Sequence, residues 1–262
     1  MKLPIYQIDA FASEVFRGNP AAVCPLERWL DDNHLQAIAA ENNLAETAYF
    51  VPQGEAYSLR WFTPVQEVDL CGHATLASAY VIFHYLRPEM KSVTFNSQSG
   101  PLYISREGDL LRMDFPVRAP VACSESEGLG RLAGALGSPP REILCSRDYL
   151  AVYDSEDEVR ELQPNFESLK TLDRLGVIVT AAGRTADFVS RFFAPGAGIP
   201  EDPVTGSAHC TLAPYWATRL GKTKLRAFQV SARGGELFCE LRGNRVLISG
   251  RCVRYLEGTI YL

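Results

Sequence analysis

At 262 residues the chain is long enough for one large domain or two of about 130, because single cores stop growing near ~250–300 residues. Its 47% hydrophobic and 22% charged residues suit a globular protein, and its net charge of −5 argues against a phosphate-backbone partner while leaving room for a small local basic pocket. Seven cysteines at irregular spacing, and an opening MKLPIYQIDAF without a charged-then-apolar leader pattern, predict reduced thiols and a cytoplasmic location.

In chain order, the first half reads as strands, a helix over about 31–41, and then NNLAETAYF (42–50), where Glu46 precedes the strand TAYFV. Leu44, Ala45 and Ala48 are surroundings able to raise a carboxyl pKa, so Glu46 is a candidate general base; an exposed turn carboxylate is the plainer alternative. The extended RWFTP (60–64) leads into VDLCGHATLA (68–77). The uncharged run LCGHATLASAYVIFHYL falls short of the ~20 consistently apolar residues of a membrane span and predicts a buried helix over about 73–86. SGPLYISREGDLLRM (99–113) reads as a hairpin around a Gly-Asp turn.

Pro, Ser, Gly and acidic residues then interrupt the strand pattern in RAPVACSESEGLGRLAGALGSPPRE (118–142), which puts the expected lobes at 1–117 and 118–262. The second half repeats the first. LAVYD (150–154) echoes AAVCP (21–25), a helix is expected over about 165–171, and RFFAP (191–195) matches RWFTP. DPVTGSAH then matches DLCGHAT, with Gly206 opposite Gly72 and Thr205 opposite Cys71, and a second apolar helix follows over about 207–220. GGELFCELRGNRVLI (234–248) lies against the first hairpin, so that Gly235 meets Gly100 and Gly243 meets Gly108. The closing RCVRYLEGTIYL is strand-like and is free to cross back to the first lobe.

Both central helices are apolar nearly all round, so each needs sheet wrapped about it. The expected fold is α+β: two pseudo-symmetric lobes, each a curled, mostly antiparallel, barrel-like sheet around a central helix. The free N–H groups at two such helix starts suit a small carboxylate, with Gly72 and Gly206 allowing close approach and His73 and Ser207 as donors. Glycine before a polar cap is also simply how many helices begin. Cys71, His73, His209 and Cys210 could supply a metal set across the lobes, but the paired short spacings of zinc sites are missing, and no metal is expected. Cys71 at a helix start could act as a thiolate, and Asp202 could orient a histidine, bind a substrate amine, or only begin a Pro turn.

Five motifs in order, IDAFASEVFRGNPAAV, NLAETAYFV, RWFTPVQEVDLCGHATLASA, FFAPGAGIPEDPVTGSAH and SARGG, resemble the phenazine-biosynthesis isomerase (PhzF-like) family, which is related in fold to diaminopimelate epimerase. The resemblance spans nearly the whole chain. It implies an active site in the cleft between the lobes, with neither metal nor organic cofactor. It assigns catalysis to Glu46, His73 and Asp202, and substrate binding to Gly72, Gly206, Ser207 and Asn19. The implied reaction relocates a proton on a small cyclic or amino carboxylate through one glutamate. The epimerase relatives use a cysteine from each lobe, whereas Thr205 stands here in place of the second, so Cys71 is expected to be a packed thiol not paired with His73. A catalytically silent binding protein and a cysteine-dependent racemase remain as alternatives. The implied partners are a small anionic metabolite and a second copy of the chain, with no nucleic acid and no membrane.

Overall fold

The computed structural model describes residues 1–123 and 127–262, so residues 124–126 of the expected boundary stretch lie outside the described residues. The chain packs as two units, Met1–Asp114 with Ser249–Leu262, and Phe115–Ile248. Among the described residues no helix is long and apolar enough to cross a membrane.

The first unit runs β1 (Lys2–Ala10), β2 (Asn19–Pro25), α1 (Asp32–Asn42), β3 (Glu46–Gln53), β4 (Ala56–Phe62), β5 (Glu67–Val68), α2 (Gly72–Val81), β6 (Ser92–Ser97), β7 (Gly100–Glu107) and β8 (Leu110–Pro116). The second unit holds β9 (Val121–Ala122), α3 (Glu127–Leu136), β10 (Glu142–Cys145), β11 (Tyr149–Val152), α4 (Glu156–Glu161), α5 (Phe166–Leu169), β12 (Val177–Ala182), β13 (Phe188–Ala194) and β14 (Ile199–Asp202). It continues through α6 (Gly206–Leu220), β15 (Lys224–Gln229), β16 (Gly235–Arg242) and β17 (Arg245–Gly250). The last strand, β18 (Cys252–Tyr261), lies antiparallel to β1 in the first unit.

Strand pairing repeats step for step. In the first unit β1–β2 is antiparallel, β2–β3 parallel, β3–β4 antiparallel, β4–β6 parallel and β6–β7 antiparallel. In the second, β10–β11, β11–β12, β12–β13, β13–β15 and β15–β16 follow the same sequence of senses. Even a charge pair recurs: Arg60 Nε lies 2.7 Å from Glu67, and Arg191 Nε lies 2.8 Å from Glu201. The fold is α+β with mixed sheets that stay open rather than closing into barrels.

Helix α2 is buried from His73 to Ala79 without a break and packs on β1, β2 and β3. Beyond Val81 the expected single helix changes character: Ile82–Leu86 form a π-helical turn, closed by Arg87 N–H donating to Ile82 O at 2.7 Å. Helix α1 starts at an Asp31 cap, whose side chain accepts from His34 N–H, and ends at Asn43 in the left-handed region. Its Leu35, Ile38 and Ala39 pack with Cys24, Tyr49 and Phe62. Because strand side chains alternate, Tyr49 facing α1 sends Glu46, Ala48 and Phe50 to the opposite face, and Cys24 facing α1 does the same for Asn19, Ala21 and Val23.

One expectation is corrected. Cys123 and Cys145 form a disulfide, with their Cα atoms 5.1 Å apart, where β9 lies against β10. Cys24, Cys71, Cys210, Cys239 and Cys252 remain thiols. The odd count and irregular spacing could not reveal this pair, because a strand pairing rather than a sequence interval brings it together.

Alkylation of the denatured, unreduced protein is therefore expected to label five cysteines and spare Cys123 and Cys145, as read by peptide mass mapping. Leu35 is fully buried under α1, so Leu35→Ala should lower stability by about 2–5 kcal/mol in urea unfolding.

Candidate active site

Strands β2 and β3 run parallel, with Ala21 opposite Glu46, and turn Asn19, Ala21 and Val23 and Glu46, Ala48 and Phe50 to the face away from α1. Asn19 opens β2, Glu46 opens β3, and His73 is the second residue of α2. The three meet. Glu46 Oε2 lies 3.1 Å from His73 Nε2, and Asn19 Nδ2 lies 3.1 Å from His73 Nδ1. Asn19, Glu46 and His73 are 0%, 8% and 6% exposed, so this polar group is buried. In neutral His73, Asn19 donating to Nδ1 places the ring proton on Nε2, facing the carboxylate; in the imidazolium the Asn19 amide turns to present its oxygen to Nδ1–H. The approach is nevertheless off the line of a hydrogen bond, and Oε2 has no aligned donor among the described residues.

Cys71 lies beside this group. Its Sγ lies 3.5 Å from His73 Nδ1 and 4.0 Å from Nε2. Burial pushes its thiol up to about 11, with the charge of Glu46 adding to the effect, so Cys71 is a neutral thiol near pH 7 despite standing at a helix start. Burial alone would lower the pKa of His73, but the hydrogen bond to the Cys71 sulfur and the Glu46 carboxylate beside the ring outweigh it and raise it well above the ordinary histidine value. Cys71 occupies the N-cap of α2 without a side-chain bond to the helix backbone, which leaves the first turn uncapped by its own side chain. Gly72 is the first helical residue.

In the second unit, Asp202 ends β14 and Thr205 occupies the N-cap of α6, whose first residues are Gly206 and Ser207. Thr205 Oγ1 donates to Asp202 Oδ2 at 2.5 Å. Buried Gln229, from β15, accepts from Thr205 N–H at 2.8 Å and donates to Asp202 O at 2.7 Å, clamping the turn that precedes the helix. Gln229 carried no sequence signal, since it lies 24 residues from Thr205 in an ordinary strand. His209 is not part of this group as a titrating residue: its Nδ1 donates to Thr205 O at 2.9 Å, and burial lowers its pKa to about 4.

The repeat also shows what the second unit lacks. Thr47 pairs with Phe62, and Val177 pairs with Phe193, the second Phe of RFFAP, so the position before Val177 corresponds to Glu46. That residue is Gly176, where an added Cβ would lie 2.4 Å from the Phe192 ring. A carboxylate at the strand start belongs to the first unit alone.

The sequence matches the PhzC-PhzF family, described as phenazine biosynthesis-like protein, over residues 8–258. A Pseudomonas aeruginosa protein named as an uncharacterised isomerase is 55% identical over 262 residues, covering 100% of both chains. The crystal structure of a PhzF family protein from Enterococcus faecalis superposes with a TM-score of 0.96 at 49% identity, again over 100% of both chains. A Pseudomonas aeruginosa protein described as a predicted epimerase shares the fold alone, with 20% identity over 99% of each chain and a TM-score of 0.79. With this match across nearly its whole length and relatives aligned end to end, the chain belongs to the phenazine biosynthesis-like PhzC-PhzF family.

Proposed function

We propose that the protein is a cofactor-independent isomerase that moves a proton on a small cyclic or amino carboxylate, with Glu46 as its single acid and base. The observation carrying this reading is the buried carboxylate 3.1 Å from His73 at the start of α2. Glu46 takes a proton from a carbon beside a conjugated system and returns it to another position on the same face, so no proton is gained or lost overall. The protonated His73 offers positive charge where electron density builds on the substrate, and Asn19 holds its ring. Asp202 is assigned to catalysis with them. Gly72, Gly206 and Ser207 are assigned to substrate binding through the donor groups of the two helix starts.

A two-base racemase finds less support. It needs a second thiol, but Thr205 stands at the corresponding position, and Cys71 holds its proton up to about 11. Nor does the second unit repeat Glu46, because Gly176 stands at the corresponding strand start.

Proton exchange in D₂O, followed by NMR with a panel of small aromatic, cyclic and amino carboxylates, tests the proposal. Label should enter one carbon position with the wild-type protein. Glu46→Gln should cut turnover by at least about 10²–10⁴-fold and abolish labelling while leaving ligand affinity within a few-fold. Ligand binding without exchange in the wild type would overturn the catalytic reading in favour of a binding protein.

The Glu46–His73 pair also predicts a pH dependence. His73 has a folded pKa above its unfolded one, so its contribution is complete below the ordinary value of ~6.5 and is lost as pH rises through the raised value. Urea midpoints measured across this window should fall on the alkaline side in the wild type more than in His73→Asn.

A further inference from the structure

The residues assigned to proton transfer are also a donor set for a metal ion. One ligand atom each from Glu46, Cys71 and His73 lie within 4.8 Å of one another, and all three residues are buried. His73 Nε2 stands 3.1 Å from Glu46 Oε2 and 4.0 Å from Cys71 Sγ. Around a tetrahedral zinc ion with bonds of about 2.0–2.3 Å, neighbouring donors lie about 3.2–3.8 Å apart. The cluster is within small side-chain movements of that spacing.

Two further features favour a cation. Glu46 Oε2 is buried yet has no aligned hydrogen-bond donor among the described residues, which leaves a lone pair turned into the cluster. Asn19 lies 3.1 Å from Nδ1, the ring nitrogen that faces away from the carboxylate. Metal-bound imidazoles are held by such an outer partner, and the Asn19 amide, turned to present its oxygen, accepts the Nδ1 proton when Nε2 holds an ion.

We propose that Glu46, Cys71 and His73 form an inhibitory site for a zinc-class divalent cation. The thiol and the Nε2–H of the His73 imidazolium each release a proton to solvent; sulfur then gives a lone pair, His73 binds as neutral imidazole through Nε2, and Glu46 through a carboxylate oxygen. One thiolate and one carboxylate neutralise the dication, so the buried site carries no net charge, and a fourth position stays open. Nothing is oxidised or reduced. Mixed nitrogen, sulfur and oxygen donors favour Zn²⁺ over Mg²⁺ or Ca²⁺. With the ion bound, Glu46 cannot take a substrate proton. The inhibitory role rests on the proposed isomerase activity, whereas the binding site does not.

Cobalt(II) is the probe that separates the two. Titrating the full chain with Co²⁺ should produce a sulfur-to-cobalt charge-transfer absorption that saturates at one equivalent. Cys71→Ser should remove that absorption, and Glu46→Gln or His73→Gln should weaken binding at least about 100-fold, the upper end of what losing a mere outer partner costs. Cys252→Ser, at the partly exposed thiol, should change nothing. Absence of the band in the wild type, or its persistence in Cys71→Ser, overturns the site. Should Cys71→Ser fail to fold, Zn²⁺ must protect Cys71 from alkylation in the wild type, and lack of protection overturns the site equally. Zn²⁺ at saturation should also stop deuterium exchange. Cobalt binding without exchange on any substrate sinks the isomerase reading and leaves the site standing, whereas exchange that continues at saturating Zn²⁺ sinks the inhibitory role.

Discussion

A helix with no polar face has to be enclosed, and the burial of α2 is the constraint on which the first unit depends. With every residue from His73 to Ala79 out of water, the polar groups at the start of this helix are enclosed along with it. Strands β1, β2 and β3 pack against its length, so the chain has to close over a point where backbone N–H groups lack their own side-chain cap. The carboxylate of Glu46 arrives at that point by strand alternation. Residues 46, 48 and 50 share the face opposite Tyr49, which is committed to α1 by packing and by its hydroxyl donating to Leu35 O at 2.8 Å. The apolar packing beneath α1 therefore sets where the charged group points.

Much of this was legible in the residues. The duplicated RxFxP blocks, the matched glycines and the two apolar stretches carry the repeat because each reflects a strong local cause: an extended strand, a tight turn, a helix without a wet face. The paired helix starts follow from glycine placement, whereas the neighbours of Glu46 made an exposed turn carboxylate the plainer reading, and the family resemblance singled it out. The change to a π-helical turn at Ile82–Leu86 left no mark in hydrophobic spacing, because a segment that is apolar on all sides looks the same at either pitch.

Relations between distant residues were less legible. Cys71 and His73 are two apart in sequence, yet their contact depends on the rotamer His73 takes between Asn19 and Glu46, from strands 54 and 27 positions away in the chain. The Gln229 clamp on Thr205 and Asp202 and the Cys123–Cys145 disulfide share that origin, since each rests on two strands brought side by side. Sequence periodicity reports which face of an element is buried. It says little about which polar groups from separate elements meet there.

Duplication then explains why a repeated fold need not hold repeated chemistry. Both units keep the parallel pair, the Arg–Glu ion pair and the glycine-started helix, because these carry the packing. At the strand start facing the helix they diverge: the first unit buries Glu46, and the second fits Gly176 against the Phe192 ring, where no side chain has room. Restoring a carboxylate there would demand a new path for Phe192 as well as a new residue. At the helix caps they diverge again, with a thiol at Cys71 and a hydroxyl, tied to Asp202 and Gln229, at Thr205. Repeating Glu46 in the second unit would thus need coordinated changes in a packed interior.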